Sequence, residues 1–184
     1  MTTLLAVGAA LAIAVGVIAI YNGLVQLKVR SDNAWSDIDV QLKRRHDLIP
    51  NVVEAVKGYA AHERQTLEAV VEARSRAVAV QSAGPAERGQ VEGTLTVALR
   101  GLFALAESYP QLRATENFAQ LHTALVQVED AIQNARRYYN AVVRDLNTRI
   151  QQFPSNIVAG VFGFRNREFF QIADADAQVP QVKL

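Results

Sequence analysis

The sequence contains no cysteine. That excludes a disulfide framework, a thiolate metal site, a thiol nucleophile and a lipidated cysteine as a membrane tether. Proline and glycine are scarce, at five and ten of 184 residues, too few for a loop-rich fold. Net charge is almost absent: 19 basic against 18 acidic side chains leave +1, which offers nucleic acid no global cationic field and rules out a long charged tail. Charge is also missing locally, because no charged side chain precedes Lys28.

What fills that uncharged stretch is apolar. From Leu4 to Leu24 the chain reads LLAVGAALAIAVGVIAIYNGL, and about 20 such residues suffice to cross a hydrocarbon core about 30 Å thick. The segment reads as a transmembrane anchor over residues 1–27. A cleaved signal peptide needs a positively charged leader, and only Met1, Thr2 and Thr3 precede the run. Cationic residues lie on one side only: Lys28 and Arg30 follow the span, and Lys43, Arg44 and Arg45 come soon after. This asymmetry predicts a short N-terminus outside and the remainder in the cytoplasm, with Tyr21 as an interfacial anchor. The inner membrane is the expected location. Within the span, Gly8, Ala12 and Gly16 recur at one-turn spacing, a candidate self-association face; Ala6, Ala10 and Ala14 form a second small-residue set that composition alone would supply.

The rest is rich in helix formers. The series Ala114, Phe118, Leu121, Leu125, Val128, Ile132, Ala135, Tyr139, Val142 and Leu146 alternates steps of four and three, a heptad seam that predicts one helix from Gln111 to Gln151. A seam of that length needs long partners. One is the run Leu24, Leu27, Trp35, Ile38, Leu42 and Ile49, leaving the membrane with only Asn22 and Gly23 to bend it. A second follows through Val53, Val56, Ala60, Leu67, Val70 and Ala77. The break between these two falls at Pro50, which lacks an N–H, or at Gly58, and the sequence leaves both open. Ser82-Ala83-Gly84-Pro85 starts a third helix that Pro110 stops near Ser108. Short connections make successive helices antiparallel, so the fold class is all-α: an N-terminal transmembrane helix followed by an antiparallel four-helix bundle with long helices over residues 28–172. Five of the seven phenylalanines, Phe153, Phe162, Phe164, Phe169 and Phe170, fall within residues 153–170. They form either a cap on the bundle or a surface for a partner or membrane. Residues 173–184 have little to bury and read as a mobile tail.

Motifs that carry chemistry are missing. A dinuclear metal bundle needs Glu-x-x-His, but Lys43, Tyr59 and Ala119 stand three before His46, His62 and His122. The histidines therefore read as surface or interfacial. No phosphate-binding, dinucleotide-binding, serine-nucleophile or zinc-protease signature occurs, so no catalytic residue, cofactor or metal is expected. The densest basic run, Lys43-Arg44-Arg45-His46-Asp47, reads as a solvated face with local ion pairs and not as a nucleic-acid site. Arg45, Glu63 and Arg74 fall on or beside the apolar stripes. They are paired inside the bundle or at its ends, or the helix phase is off by one.

The stretch from Asn33 to Arg74, beginning NAWSDIDVQLKRRHDLIPNVVEAVKGYAAHE, together with FPSNIVAGVFGF at 153–164, closely resembles the LemA family. Tyr21-Asn22, Leu24-Val25 and Tyr138-Tyr139-Asn140 extend the resemblance over nearly the whole chain. It implies a bacterial-type membrane protein with a cytoplasmic helical bundle and no catalytic residues. It also suggests association with a membrane-bound metalloprotease of the HtpX type. The function expected is a non-enzymatic, membrane-anchored scaffold or adaptor in contact with lipid and self-associating. A membrane-remodelling coat and an enzyme with an unrecognised site are the alternatives.

Overall fold

The computed structural model describes residues 1–172, and the expected tail at 173–184 lies outside them. Six helices make up the regular structure of the described residues: α1 Thr2–Lys57, α2 Arg64–Ala79, α3 Pro85–Glu107, α4 Pro110–Arg113, α5 Glu116–Gln151 and α6 Ser155–Val161. The chain divides into two units, each described below by itself. One comprises Met1–Asp37 and Arg137–Glu168; the other comprises Ile38–Arg136 and the segment beginning at Phe169.

The second unit is the bundle, formed by the C-terminal part of α1, by α2, α3 and α4, and by the N-terminal part of α5. Its core joins Ile49, Val52 and Val56 of α1 to Leu67 and Val70 of α2, Leu95, Leu99 and Leu102 of α3, Leu112 of α4, and Phe118 and Leu125 of α5. On α1 the buried positions Ile38, Leu42, Arg45, Ile49, Val52 and Val56 step by four and three. On α3 the same rhythm runs through Arg88, Glu92, Leu95, Leu99, Leu102 and Ala106. These are the seams that knobs-into-holes packing requires, with three polar residues set into them.

Of the two candidate breaks, the chain uses Gly58. Pro50 sits exposed inside α1, which continues to Lys57. A proline here strips the carbonyl of His46, four residues earlier, of its helical donor. The Nε of Arg74, on α2, supplies the missing hydrogen bond at 2.8 Å. The expected helix from Gln111 is divided too. Pro110 restarts a single turn that buries Leu112, and the Thr115 hydroxyl bonds back to the Leu112 carbonyl at 2.7 Å. The long helix therefore begins at Glu116, and Ala114 is exposed instead of opening the seam. Glycine has a steric role at Gly89, where a Cβ would collide with the backbone of Gln171. That close approach seats Phe170 and Ile172, both buried.

In the first unit, Leu24 of α1 packs with Leu146 of α5 and with Val158 and Ala159 of α6; Val17, Ile20, Leu27, Ile150 and Phe164 border this cluster. The turn from α5 to α6 is built by Ser155, whose hydroxyl donates to the carbonyls of Arg149 at 2.6 Å and Gln152 at 2.8 Å. The Arg149 carbonyl lies in the last turn of α5, where a helix end leaves carbonyls without a donor, and the Gln152 carbonyl also accepts the Asn156 N–H at 2.8 Å. The other end of α6 is a Schellman closure. Gly163 takes φ +72°, its N–H reaches the Gly160 carbonyl, and the Phe164 N–H reaches the Ala159 carbonyl at 2.9 Å. Phe164 is thereby turned back onto the cluster. Asn147 then holds Arg167 by its backbone in both directions, donating to its carbonyl at 2.9 Å and accepting from its N–H at 2.8 Å.

Leu125 and Ile132 are both buried on α5, whereas Gln127 is exposed. Leu125→Ala and Ile132→Ala should each lower unfolding stability by about 2–5 kcal/mol through the cavity left behind. Gln127→Ala should cost less than about 0.5 kcal/mol. Urea titration of the detergent-solubilised chain, followed by helical circular dichroism, checks this; equal losses at the three positions would show that the seam is misplaced.

Candidate functional site

Two features of this fold are unusual for a simple apolar bundle: a layer of charge inside the second unit and an exposed apolar face on the first.

The charged layer draws on all four long helices of the bundle. Arg45 of α1 is fully buried, and its guanidinium pairs with the carboxylate of Glu92 on α3, which is buried as well. The Arg45 Nη1 donates to the hydroxyl of Thr96 at 3.0 Å and to Glu129 of α5 at 2.9 Å. The Glu92 carboxylate accepts a second contact from His46 Nε2 at 2.9 Å, so the proton on that ring belongs on Nε2. Arg74 of α2 closes the layer on the His46 carbonyl. Burial pushes the Glu92 carboxyl up, but the hydrogen bond from His46 and the charge of Arg45 outweigh it and hold the group below its ordinary value of 4.5. The His46 Nδ1 and Arg45 Nε find no partner among the described residues.

This arrangement corrects two expectations. His46 is neither surface nor interfacial but buried, because its carboxylate partner lies on another helix. The run from Lys43 to Asp47 is not one solvated face: Lys43 and Asp47 pair in solvent at 2.9 Å, while Arg45 and His46 turn inward. Of the stripe-borne charges, Arg45 is ion-paired and the other two are hydrogen-bonded to neutral groups. Arg45 and Arg74 are bound as described, and Glu63 accepts from the Tyr109 hydroxyl at 3.4 Å. Sequence reasoning missed Glu92 and Arg88. The signal was present, since both lie in phase with Leu95, Leu99 and Leu102. Arg88 finds Asp39 on α1 at 2.5 Å. A groove of about 250 Å³ lies over Asp39, Lys43, His46 and Arg88. At the centre of the layer Arg45, Glu92 and His46 each bond to a neighbour on another helix.

The apolar face belongs to α6 and its flanks. Phe153, Ile157, Val161 and Phe162 are exposed, while Ser155, Val158 and Ala159 are buried. Phe162 packs on Tyr21 with ring centroids 4.8 Å apart, and Phe164 meets the same ring at 5.8 Å. The five phenylalanines thus separate. Phe164 is half-buried in the first unit, Phe153 and Phe162 face outward there, and in the second unit Phe170 is fully buried and Phe169 exposed. Gly8, Ala12 and Gly16 are exposed on α1, and a Cβ added to either glycine would meet nothing. Deeper in this unit Trp35 and Tyr139 pair at 5.3 Å. Burial raises the Tyr139 hydroxyl above its ordinary value, and it donates to the Glu168 carbonyl at 3.0 Å.

The N-terminal part of α1 is long and apolar enough to cross a membrane, and none of its apolar window is buried. Among the described residues no cluster of His, Asp and Glu could hold a metal ion.

The model of the LemA family matches residues 34–184. The chain is 26% identical over 175 residues to magnetosome protein MamQ 2 of Paramagnetospirillum magneticum, covering 82% of this chain and 64% of that protein. It is 24% identical to magnetosome protein MamQ of Magnetospirillum gryphiswaldense, covering 88% of this chain and 70% of the other. Protein LemA of Metamycoplasma hominis is 28% identical, with 84% and 70% covered. The chain therefore spans a little under two thirds of the length of the MamQ 2 protein. None of these descriptions names an enzymatic activity.

Removing one partner of the layer strands the other. Glu92→Ala should destabilise the chain by about 3–5 kcal/mol, because a buried guanidinium loses its buried counter-charge and keeps only the more exposed Glu129. The pH dependence follows from the lowered Glu92 pKa. Its contribution is complete above 4.5, the ordinary value regained on unfolding, and disappears as pH falls through the lower folded value. The stability difference between the parent and Glu92→Gln should therefore be constant near neutrality and shrink below 4.5. Urea midpoints measured across that range test it; a difference independent of pH would remove Glu92 from the layer's energetics.

Proposed function

The chain belongs to the LemA family, and from that membership we propose that it is a single-pass, membrane-anchored, non-enzymatic helical scaffold or adaptor. It presents its bundle surface to protein partners and assembles with itself. The observation that carries this reading is α1. The helix runs without interruption from an uncharged apolar stretch, with a span-length window that holds no buried residue, into the seam that builds the bundle core. Leu4, Leu5, Leu11, Ile13 and Ile18 are each more than half exposed, and each such side chain is worth roughly 1.5–3 kcal/mol when removed from water. A bilayer supplies that burial.

The cationic residues after the span support an orientation with the N-terminus outside, the bundle in the cytoplasm and the inner membrane as location. Confinement to a plane raises the effective concentration of weak partners, which is the physical advantage of an anchored adaptor. The bundle's outward surface offers Val71 and Val78, seven residues apart on α2, and a groove of about 260 Å³ along Leu99, Phe103, Leu125 and Val126. Family association points to a membrane-bound metalloprotease as one partner class. The open face of Gly8, Ala12 and Gly16 supports close approach of a second span.

The similarity to proteins named for the magnetosome, with the apolar face of α6, supports a second reading. In it the same anchor assembles laterally into a membrane-shaping coat.

A reporter active only in the cytoplasm, fused after Leu184, should be active, and one active only outside should be silent; the reverse pattern overturns the orientation. Replacing Gly8 and Gly16 with Ile should weaken in-membrane crosslinking, while the matched pair Ala10→Ile and Ala14→Ile should not. An identical crosslinked ladder for parent and both variants would reduce the span to a plain anchor.

A further inference from the structure

The uncharged interval between Arg149 and Arg165 contains all of α6. Its buried face packs into the same cluster as Val17, Ile20 and Leu24, which are the last two turns of the apolar run. Those turns cover about 10 Å of helix. A span that starts at Leu4 and crosses about 30 Å reaches the hydrocarbon boundary near Leu24. The cluster therefore sets α6 beside the final stretch of the span, within the roughly 5–10 Å occupied by helices lying in the headgroup and acyl boundary. Its outward residues suit that depth. Phe153, Ile157 and Val161 repeat every four residues, Phe162 adds a second ring, and all four are exposed without a charge among them.

Beside this face lies an open groove of about 640 Å³, lined by the rings of Tyr21, Phe162 and Phe164 and by Lys28, Asp32, Arg165 and Arg167. Arg167 is engaged by Asp32 at 2.6 Å and by Ser31 at 3.1 Å, whereas Lys28 and Arg165 are exposed. The unit as a whole carries seven basic against four acidic residues. Lys28 stands seven residues, about 10 Å of helix, beyond Tyr21 and the rings packed on it, which matches the order of chemistry met on leaving a leaflet, acyl chain first and phosphate second.

We propose that α6 is a second membrane contact, embedded in the leaflet on the Lys28 side of the span, and that the adjoining groove holds an anionic phospholipid by its phosphate. The inference rests on α1 being the anchor. Lipid is the fitting occupant because the face is continuous with the last turns of the span, where the surrounding solvent is lipid, and because the rim charge complements anionic headgroups.

The absence of cysteine makes single-site labelling of the full chain direct. A fluorophore is placed at Ile157→Cys, at Leu11→Cys within the span, and at Gln127→Cys on the exposed face of α5. Each protein is reconstituted into vesicles of phosphatidylcholine with or without phosphatidylglycerol. Brominated acyl chains report lipid contact and aqueous iodide reports water. The label at 157 should be quenched by lipid, as at 11, and shielded severalfold from iodide relative to 127. Brominated phosphatidylglycerol should quench it in preference to phosphatidylcholine, each cation biasing occupancy about fivefold. Lys28→Gln with Arg165→Gln should abolish the preference while leaving the lipid contact. Iodide access at 157 equal to that at 127, with 11 still quenched by lipid, overturns the inference and spares the anchor. A label at 157 shielded from both quenchers means a protein covers the face and lipid does not. Equal quenching by the two lipids in the parent overturns the headgroup assignment. Iodide access at 11 as well removes the anchor and this inference with it.

Discussion

The pairing of Arg45 with Glu92 is the constraint on which the bundle depends. Both side chains occupy seam positions, one helical step from leucines and isoleucines, and both are removed from water. An unpaired charge there is far more costly than a misplaced methyl group. Sliding α1 against α3 by one turn would preserve apolar contact, since Leu42 and Ile49 flank Arg45 as Leu95 and Leu99 follow Glu92. It would, however, strand a guanidinium and a carboxylate. The layer thus selects one register among several that hydrophobic burial alone would tolerate. Thr96, Glu129 and His46 complete the coordination and add α5 to the same lock.

The same layer explains a proline inside a long helix. Pro50 deprives the His46 carbonyl of its helical donor, and Arg74 replaces it from α2. The defect in one helix is therefore a docking point for the next. Because that donor exists, α1 can continue about two turns further and place Val52 and Val56 in the core before Gly58 ends it.

The first unit solves a different problem, that of ending a long helix beside an apolar span. Ser155 satisfies the Arg149 carbonyl in the last turn of α5, Gly163 adopts the left-handed conformation, and Phe164 folds back onto Leu24 and its neighbours. Asn147 and Tyr139 then tie down the backbone at Arg167 and Glu168. The segment Phe-Pro-Ser-Asn-Ile-Val-Ala-Gly-Val-Phe-Gly-Phe is therefore a set of capping and packing instructions. Its outward apolar residues are what those instructions leave unburied.

Much of this was legible in the amino-acid order. Helical class, the uncharged span, the start of α3 at Pro85 and the α5 seam from Phe118 onward follow from local periodicity, proline chemistry and the absence of charge. None of these needs a distant residue. Family membership was readable for a related reason, because the capping and seam residues form long, unusual strings. The Phe-rich segment could be identified but not divided. Whether Phe164 points in and Phe162 out depends on Gly163 and on the α1 surface opposite. Nor could the sequence alone choose between Pro50 and Gly58, move the start of the long helix to Glu116, or show that His46 is buried. Each of those outcomes is decided by a partner far along the chain: Arg74 for the Pro50 defect, the core that takes up Leu112, and Glu92 for Arg45 and His46. Local propensity cannot register such a partner, because a charge on an apolar stripe is an error in one helix and becomes a specification only when a second helix brings its counter-charge.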